Sequence, residues 1–137
     1  PANKINFNYR SIELPKDLIF LSATFKGKEK NSEEINHYMN KLNTIKNMAQ
    51  PTRIKTSGST FKNPIHQTDK KVWELIKISV PDKISYGDAT ISEKHANFFV
   101  NKKNAKSKDM MSLINYVKKK VKDETGIKLE LEIVVVK

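Results

Sequence analysis

The chain has no cysteine among its 137 residues, which rules out disulfides and thiolate metal sites and makes a reducing compartment the natural expectation. Glycine is scarce too: Gly27, Gly58, Gly87 and Gly126 stand far apart, in no arrangement that could cradle a phosphate. No apolar run approaches the roughly 20 residues needed to span a bilayer, and the N-terminus does not read as a signal peptide. Arg10 and Arg53 are the only arginines, so the net charge of +11 is carried by scattered lysines. Groove and phosphate readers favour the planar arginine fork, whereas dispersed lysines read as a solvated surface. Neither a nucleic-acid nor a membrane partner is expected.

What is present describes a globular domain. Hydrophobic residues make up 37% of the chain and charged residues 30%, enough for one ordinary core with or without an appended piece. The chain begins at Pro1 rather than Met, as a processed product or a fragment would. Residues 18–25 read as a buried strand, followed by a turn at Gly27. Ser32, with Glu33 and Glu34 behind it, predicts a helix whose apolar positions Ile35, Tyr38, Met39, Leu42 and Ile45 run to about Met48. Pro51 ends it, and a domain boundary is expected there, dividing 1–50 from 51–137. Beyond it, Thr68 or Asp69 should cap a short helix carrying Val72, Trp73, Leu75 and Ile76, with Trp73 in the core. Pro81 and Gly87 bracket a loop and short strands, and Phe98-Phe99-Val100 reads as a strand. A long helix begins at Ser107 and stops at Gly126, which suits the left-handed position after a helix. Residues 127–136 alternate as a final strand, with Leu129, Leu131, Ile133 and Val135 on one face and Glu130 and Glu132 on the other. The fold class is α+β: helices packed on a small mixed or antiparallel sheet.

The run Thr56-Ser57-Gly58-Ser59-Thr60-Phe61-Lys62-Asn63-Pro64 places hydroxyls beside a glycine and a lysine in a short segment. On its own it is a polar turn. It is followed by Ser92-Glu93-Lys94-His95-Ala96-Asn97-Phe98, by Asn104-Ala105, and by a terminal Glu130-Leu131-Glu132. Upstream lies Phe7-Asn8-Tyr9-Arg10-Ser11. In this order the set resembles the C-terminal part of the UDP-N-acetylenolpyruvoylglucosamine reductases, also called UDP-N-acetylmuramate dehydrogenases. The Tyr-Arg stretch resembles the end of that family's flavin-binding region, so residues 1–50 would be its remnant and 51–137 the UDP-sugar-binding domain.

The resemblance implies an oxidoreductase of peptidoglycan precursor synthesis in the cytoplasm, with roles in cell-wall biogenesis, cell shape and division. NADPH reduces a bound FAD, and the flavin passes hydride to the enolpyruvyl group of UDP-N-acetylglucosamine enolpyruvate. By the same resemblance Ser59 is the proton donor, and Arg10 and Glu132 support charge developing on the enol-carboxylate. Tyr9, Lys62, Asn63, Gln50 and Asn97 are the candidate substrate contacts. Without the match these would be a turn hydroxyl, a surface ion pair, a surface carboxylate and loop residues.

The stretch from Ile76 to Tyr86 is shorter and poorer in glycine than the family's, and Lys46-Asn47-Met48-Ala49-Gln50-Pro51 keeps only part of its basic-x-x-Gln-Pro pattern. With no FAD cradle in view, the isolated chain is expected to be inactive and to need an N-terminal flavin-binding half as partner. The alternative is a UDP-sugar-binding module without redox chemistry. His95 lacks His or carboxylate neighbours at metal-ligand spacing, and reads as holding the turn before a strand.

Overall fold

The computed structural model describes residues 2–15 and 17–136. These divide into two compact units, Pro1–Lys41 and Leu42–Lys137.

The first unit has a 3₁₀ turn at Ala2–Lys4 and a hairpin of β1 (Phe7–Asn8) and β2 (Ser11–Ile12), paired antiparallel. Tyr9 and Arg10 form its two-residue turn. Arg10 takes φ 54°, a left-handed conformation that two-residue hairpin loops demand. Glu13 ties the hairpin down by accepting hydrogen bonds from the Asn6 and Asn8 side chains, at 2.9 and 3.2 Å.

Residues 18–25 are not the buried strand that their composition predicts. They have no regular structure, and Ile19, Phe20, Leu21 and Phe25 are 81, 67, 92 and 90% exposed. A strand needs a backbone ladder and an apolar surface to cover it; among the described residues this segment has neither.

Helix α1 (Ser32–Ala49) starts and ends close to where its sequence places it. Its cap is Asn31 rather than Ser32: the Asn31 side-chain oxygen accepts the Glu33 N–H at 2.7 Å. The apolar stripe at Ile35, Tyr38, Met39, Leu42 and Ile45 exists but is exposed along its length.

The second unit contains a four-stranded antiparallel sheet in the order β3 (Lys55–Ser59), β6 (Phe98–Asn101), β5 (Ala89–Ile91), β4 (Ser85–Tyr86). Helices α2 (Val72–Ser79) and α3 (Ser107–Thr125) pack on each other, and α3 packs on β4 and β5. The core joins Val72, Leu75 and Ile76 of α2 and Leu113, Ile114, Val117 and Val121 of α3 to Phe61, Phe99 and Leu129. Phe61 and Phe99 meet edge to face with centroids 5.7 Å apart, a favoured arrangement of ring quadrupoles. This confirms the α+β architecture with an antiparallel sheet.

Three local expectations are corrected. Helix α2 begins at Val72, not near Thr68 or Asp69: the Asn63 side-chain oxygen takes the Val72 N–H at 3.0 Å, and the Glu74 carboxylate reaches back to the Lys71 N–H at 2.7 Å. Trp73 is 39% exposed rather than core, with the Lys77 ammonium 5.2 Å from its ring centroid. Residues 127–136 form no continuous strand; they make one antiparallel bridge, Leu131 to Phe61. The alternation still holds in part. Leu129 is buried and Ile127, Leu131 and Ile133 pack against the core, while Val134 and Val136 are exposed. In place of a neighbouring strand, the Gln67 amide grips Lys128, accepting its N–H and donating to its carbonyl at 3.0 Å each.

Gly126 closes α3 at φ 74°, as its position predicts. Gly87 is required for a second reason besides its φ of 55°: an added Cβ would lie 2.9 Å from an Asp109 carboxylate oxygen.

Candidate active site

The Ser59 region is built by a distortion in β3. Its pairing with β6 runs regularly from Lys55 to Thr56 and shifts register before Ser59, with Gly58 at φ 86°. Thr56 stabilises the distortion from within: its hydroxyl donates to the Phe99 carbonyl at 2.8 Å and accepts the Gly58 N–H at 3.2 Å. Ser59, which the bulge re-aims relative to the ladder, is half-buried.

The chain then passes through Thr60 and Phe61, both 1% exposed. Asn97 holds this stretch: its carbonyl accepts the Thr60 N–H at 2.8 Å. Its side chain accepts the Phe61 N–H at 3.0 Å and donates to the Phe61 carbonyl at 2.8 Å. The amide thus serves Phe61 as a strand neighbour would, and Asn97 is itself only 6% exposed.

On the other side lies the C-terminal segment. The Glu132 N–H donates to the Thr60 carbonyl at 2.9 Å, and the Lys62 N–H to the Glu130 carbonyl at 2.9 Å. These two bonds flank the Phe61–Leu131 bridge and set Glu132 opposite Thr60, one residue from Ser59. The backbone at Glu132 is thereby set beside the segment that follows Ser59, far from it in sequence. The Lys62 ammonium stands 4.0 Å from the Glu130 carboxylate. Asn63 faces α2 with its side-chain oxygen, and its carbonyl accepts the Ile65 N–H at 2.9 Å. Gln50 follows α1 directly, its N–H bonded to the Lys46 carbonyl at 2.9 Å.

Arg10 and Tyr9 belong to the first unit. There the Arg10 guanidinium lies 5.6 Å from the Tyr9 ring centroid. His95 stacks edge-on against Phe98 at 4.9 Å, and its Nδ1 accepts the Asn97 N–H at 3.2 Å. Burial lowers its pKa below the ordinary 6.5, opposed by its backbone hydrogen bond and assisted by the charge of Lys77. Among the described residues, no three His, Asp or Glu side chains gather as metal ligands would.

What these parts offer is a hydroxyl and a carboxylate on adjoining backbone segments, held by the hydrogen bonds of Asn97 and Glu132, with the Lys62 ammonium three residues after Ser59. Groups of these kinds can bind an anion and pass a proton.

Comparison with known proteins identifies the family. Residues 50–136 match the family described as UDP-N-acetylenolpyruvoylglucosamine reductase, C-terminal domain. Over 137 residues the chain is 62% identical to the UDP-N-acetylenolpyruvoylglucosamine reductase of Pelagibacter ubique, covering all of this chain and 45% of that protein. It is 44% identical over 130 residues to the reductase of Rickettsia typhi, covering 95% of the chain and 43% of that protein. Among solved structures, the UDP-N-acetylenolpyruvylglucosamine reductase of Thermus caldophilus superposes with a TM-score of 0.74 at 35% identity, over 95% of this chain and 45% of that one. The chain belongs to the UDP-N-acetylenolpyruvoylglucosamine reductase family, to its C-terminal domain. It spans less than half the length of the relatives it matches.

The family implies a flavin, and the residues present do not fit one. A flavin diphosphate needs clustered backbone N–H groups freed by glycine. Gly27, Gly58, Gly87 and Gly126 stand about 30 residues or more apart and form no Gly-rich run, and the Asp109 carboxylate beside Gly87 repels an anion.

Proposed function

We propose that this chain is the substrate-binding and proton-donating part of a cytoplasmic UDP-N-acetylenolpyruvoylglucosamine reductase that makes UDP-N-acetylmuramate for peptidoglycan. Residues 1–50 close the flavin-binding region and 51–137 form the UDP-sugar domain. FAD, and NADPH as reductant, are held by sequence outside this chain. Overall the enolpyruvyl double bond takes up one hydride and one proton while NADPH becomes NADP⁺.

The chain's own residues take the polar half of that reaction. Ser59 delivers the proton to the carbon bearing the carboxylate. Arg10 forks onto the carboxylate as it gains enolate character, and Glu132 orients the site opposite Thr60. Lys62 and Asn63 follow Ser59 closely enough to bind the nucleotide's anionic and amide groups, with Tyr9 and Gln50 as further contacts. Asn97 serves the substrate indirectly, through the Phe61 backbone it grips.

The observation that carries this reading is the hydrogen bond from Glu132 to Thr60, which sets the terminal segment against the Ser59 strand. Supporting the missing half is the apolar surface left open: Phe20, Leu21 and Phe25, and the α1 stripe from Ile35 to Ile45, are exposed. The flavin-binding half is the partner that covers them.

The test is NADPH oxidation by the full-length protein. It should require the enolpyruvyl nucleotide and yield UDP-N-acetylmuramate. Oxidation that is indifferent to the nucleotide, with no such product, would refute the reading.

A further inference from the structure

A cleft in the Leu42–Lys137 unit is lined by Ala49, Trp73, Lys77, Lys94, His95 and Ala96, and encloses about 240 Å³. Ser59, Lys62 and Asn63 take no part in it. Its lining carries two ammonium groups and no carboxylate; Glu93 turns into the neighbouring depressions instead. No ion pair within 4.0 Å engages Lys77 or Lys94 among the described residues.

Each donor is held in place. The Lys94 ammonium donates to the Asn47 carbonyl at 3.0 Å, which fixes the side chain and leaves two of its three protons. Lys77 is laid along the Trp73 ring, 5.2 Å from its centroid. The His95 Nδ1 is occupied by the Asn97 N–H, so a neutral ring carries its proton on Nε2 as a donor. Ala49 and Ala96 keep the space between these groups open.

We propose that this cleft is a binding site for a phosphoryl anion, held by Lys77, Lys94 and His95 beside Trp73. A cavity of this size falls below the range of nucleoside-sized pockets, so it takes a phosphate or diphosphate group and not a whole nucleotide. Three donors around a tetrahedral oxyanion, with the aromatic wall excluding water on one side, are what such an anion needs. This site is independent of the reductase reading: it involves neither Ser59 nor a flavin.

Trp73 is the only tryptophan in the chain, so its emission reports directly on the cleft. Titrating inorganic phosphate into the 137-residue chain at constant ionic strength should change that emission saturably, with half-saturation on the order of millimolar. The Cε1–H resonance of His95 should move over the same range. Potassium chloride should do neither. K77Q and K94Q, each at a solvent-facing ammonium, should weaken binding about tenfold or more while keeping the far-UV spectrum of the parent. UDP-N-acetylglucosamine distinguishes two sources of the anion: if it displaces phosphate the group is a nucleotide diphosphate, and if it does not the ligand is a free phosphate. Neither probe responding, a response matched by chloride, or full binding in both variants would overturn the proposal.

Discussion

Removing the Asn97 side chain should unfasten the site more than removing any residue expected to touch substrate. The amide makes two hydrogen bonds to Phe61, 3.0 Å to its N–H and 2.8 Å from its carbonyl. Phe61 occupies the position of the Leu131 bridge whose own ladder bonds run through Thr60 and Lys62, so no backbone neighbour replaces the lost partner. In N97A both polar groups would be left in a place where Phe61 is 1% exposed. Each unsatisfied buried group costs about 1–3 kcal/mol, so the variant should lose about 2–6 kcal/mol. Against a total stability of about 5–15 kcal/mol that is a large share. Urea unfolding followed by far-UV circular dichroism should show the midpoint fall by about 1–3 M, for a slope near 2 kcal/mol/M. In the full-length protein the same change should slow turnover, because Ser59 and Glu132 are set by this stretch. A loss under about 0.5 kcal/mol would refute the claim that the amide acts as a substitute strand.

Three further outcomes follow from named geometry. G87A should destabilise by more than 1 kcal/mol, since it combines a positive φ with a Cβ 2.9 Å from Asp109, whereas G126A, with open space around it, should cost only about 1 kcal/mol; thermal melts of the two variants separate these effects. His95 has its pKa lowered by burial, so the folded state disfavours the imidazolium. Its contribution to stability is present above the ordinary value of 6.5 and is lost as pH falls through the lower folded value; H95Q should flatten urea midpoints measured across that acid range. R10K in the full-length protein keeps the charge but loses the planar fork, and should lower kcat about tenfold or more with the flavin spectrum unchanged; unchanged kcat would remove Arg10 from the reaction.

The sequence was legible where local chemistry decides the structure. Helix α1, helix α3 and the left-handed Gly126 follow from apolar spacing, first-turn acids and a lone glycine. It was less legible wherever a side chain from far along the chain does the work of backbone. Asn97 stands in for a strand beside Phe61, Gln67 for one beside Lys128, and Asn63 caps α2 from nine residues upstream. No period or propensity signals such substitutions. Hence α2 starts later than Thr68 and Asp69 predict, and the terminal run, apolar on alternate residues, forms a single bridge rather than a strand. Residues 18–25 mislead for another reason: their composition anticipates burial that nothing among the described residues supplies. Trp73 reads as core by residue type, yet it walls a cleft with Lys77 across its face. Of the site, the Ser-Thr-Phe-Lys-Asn-Pro run and terminal Glu132 stand out in the sequence. The bulge that positions Ser59, and the Thr56 hydroxyl that braces it, become apparent only with the register against β6.

The claim that matters most is that Ser59 supplies the proton. Its direct measurement is a single-turnover experiment on the full-length protein. The flavin is first reduced with NADPH, then mixed with the enolpyruvyl nucleotide, and reoxidation is followed by absorbance in the wild type and in S59A. General-acid assistance contributes about 10²–10⁴-fold. Reoxidation should therefore slow by at least about 100-fold in S59A while reduction by NADPH keeps its rate. Reoxidation of S59A at the wild-type rate would contradict the account.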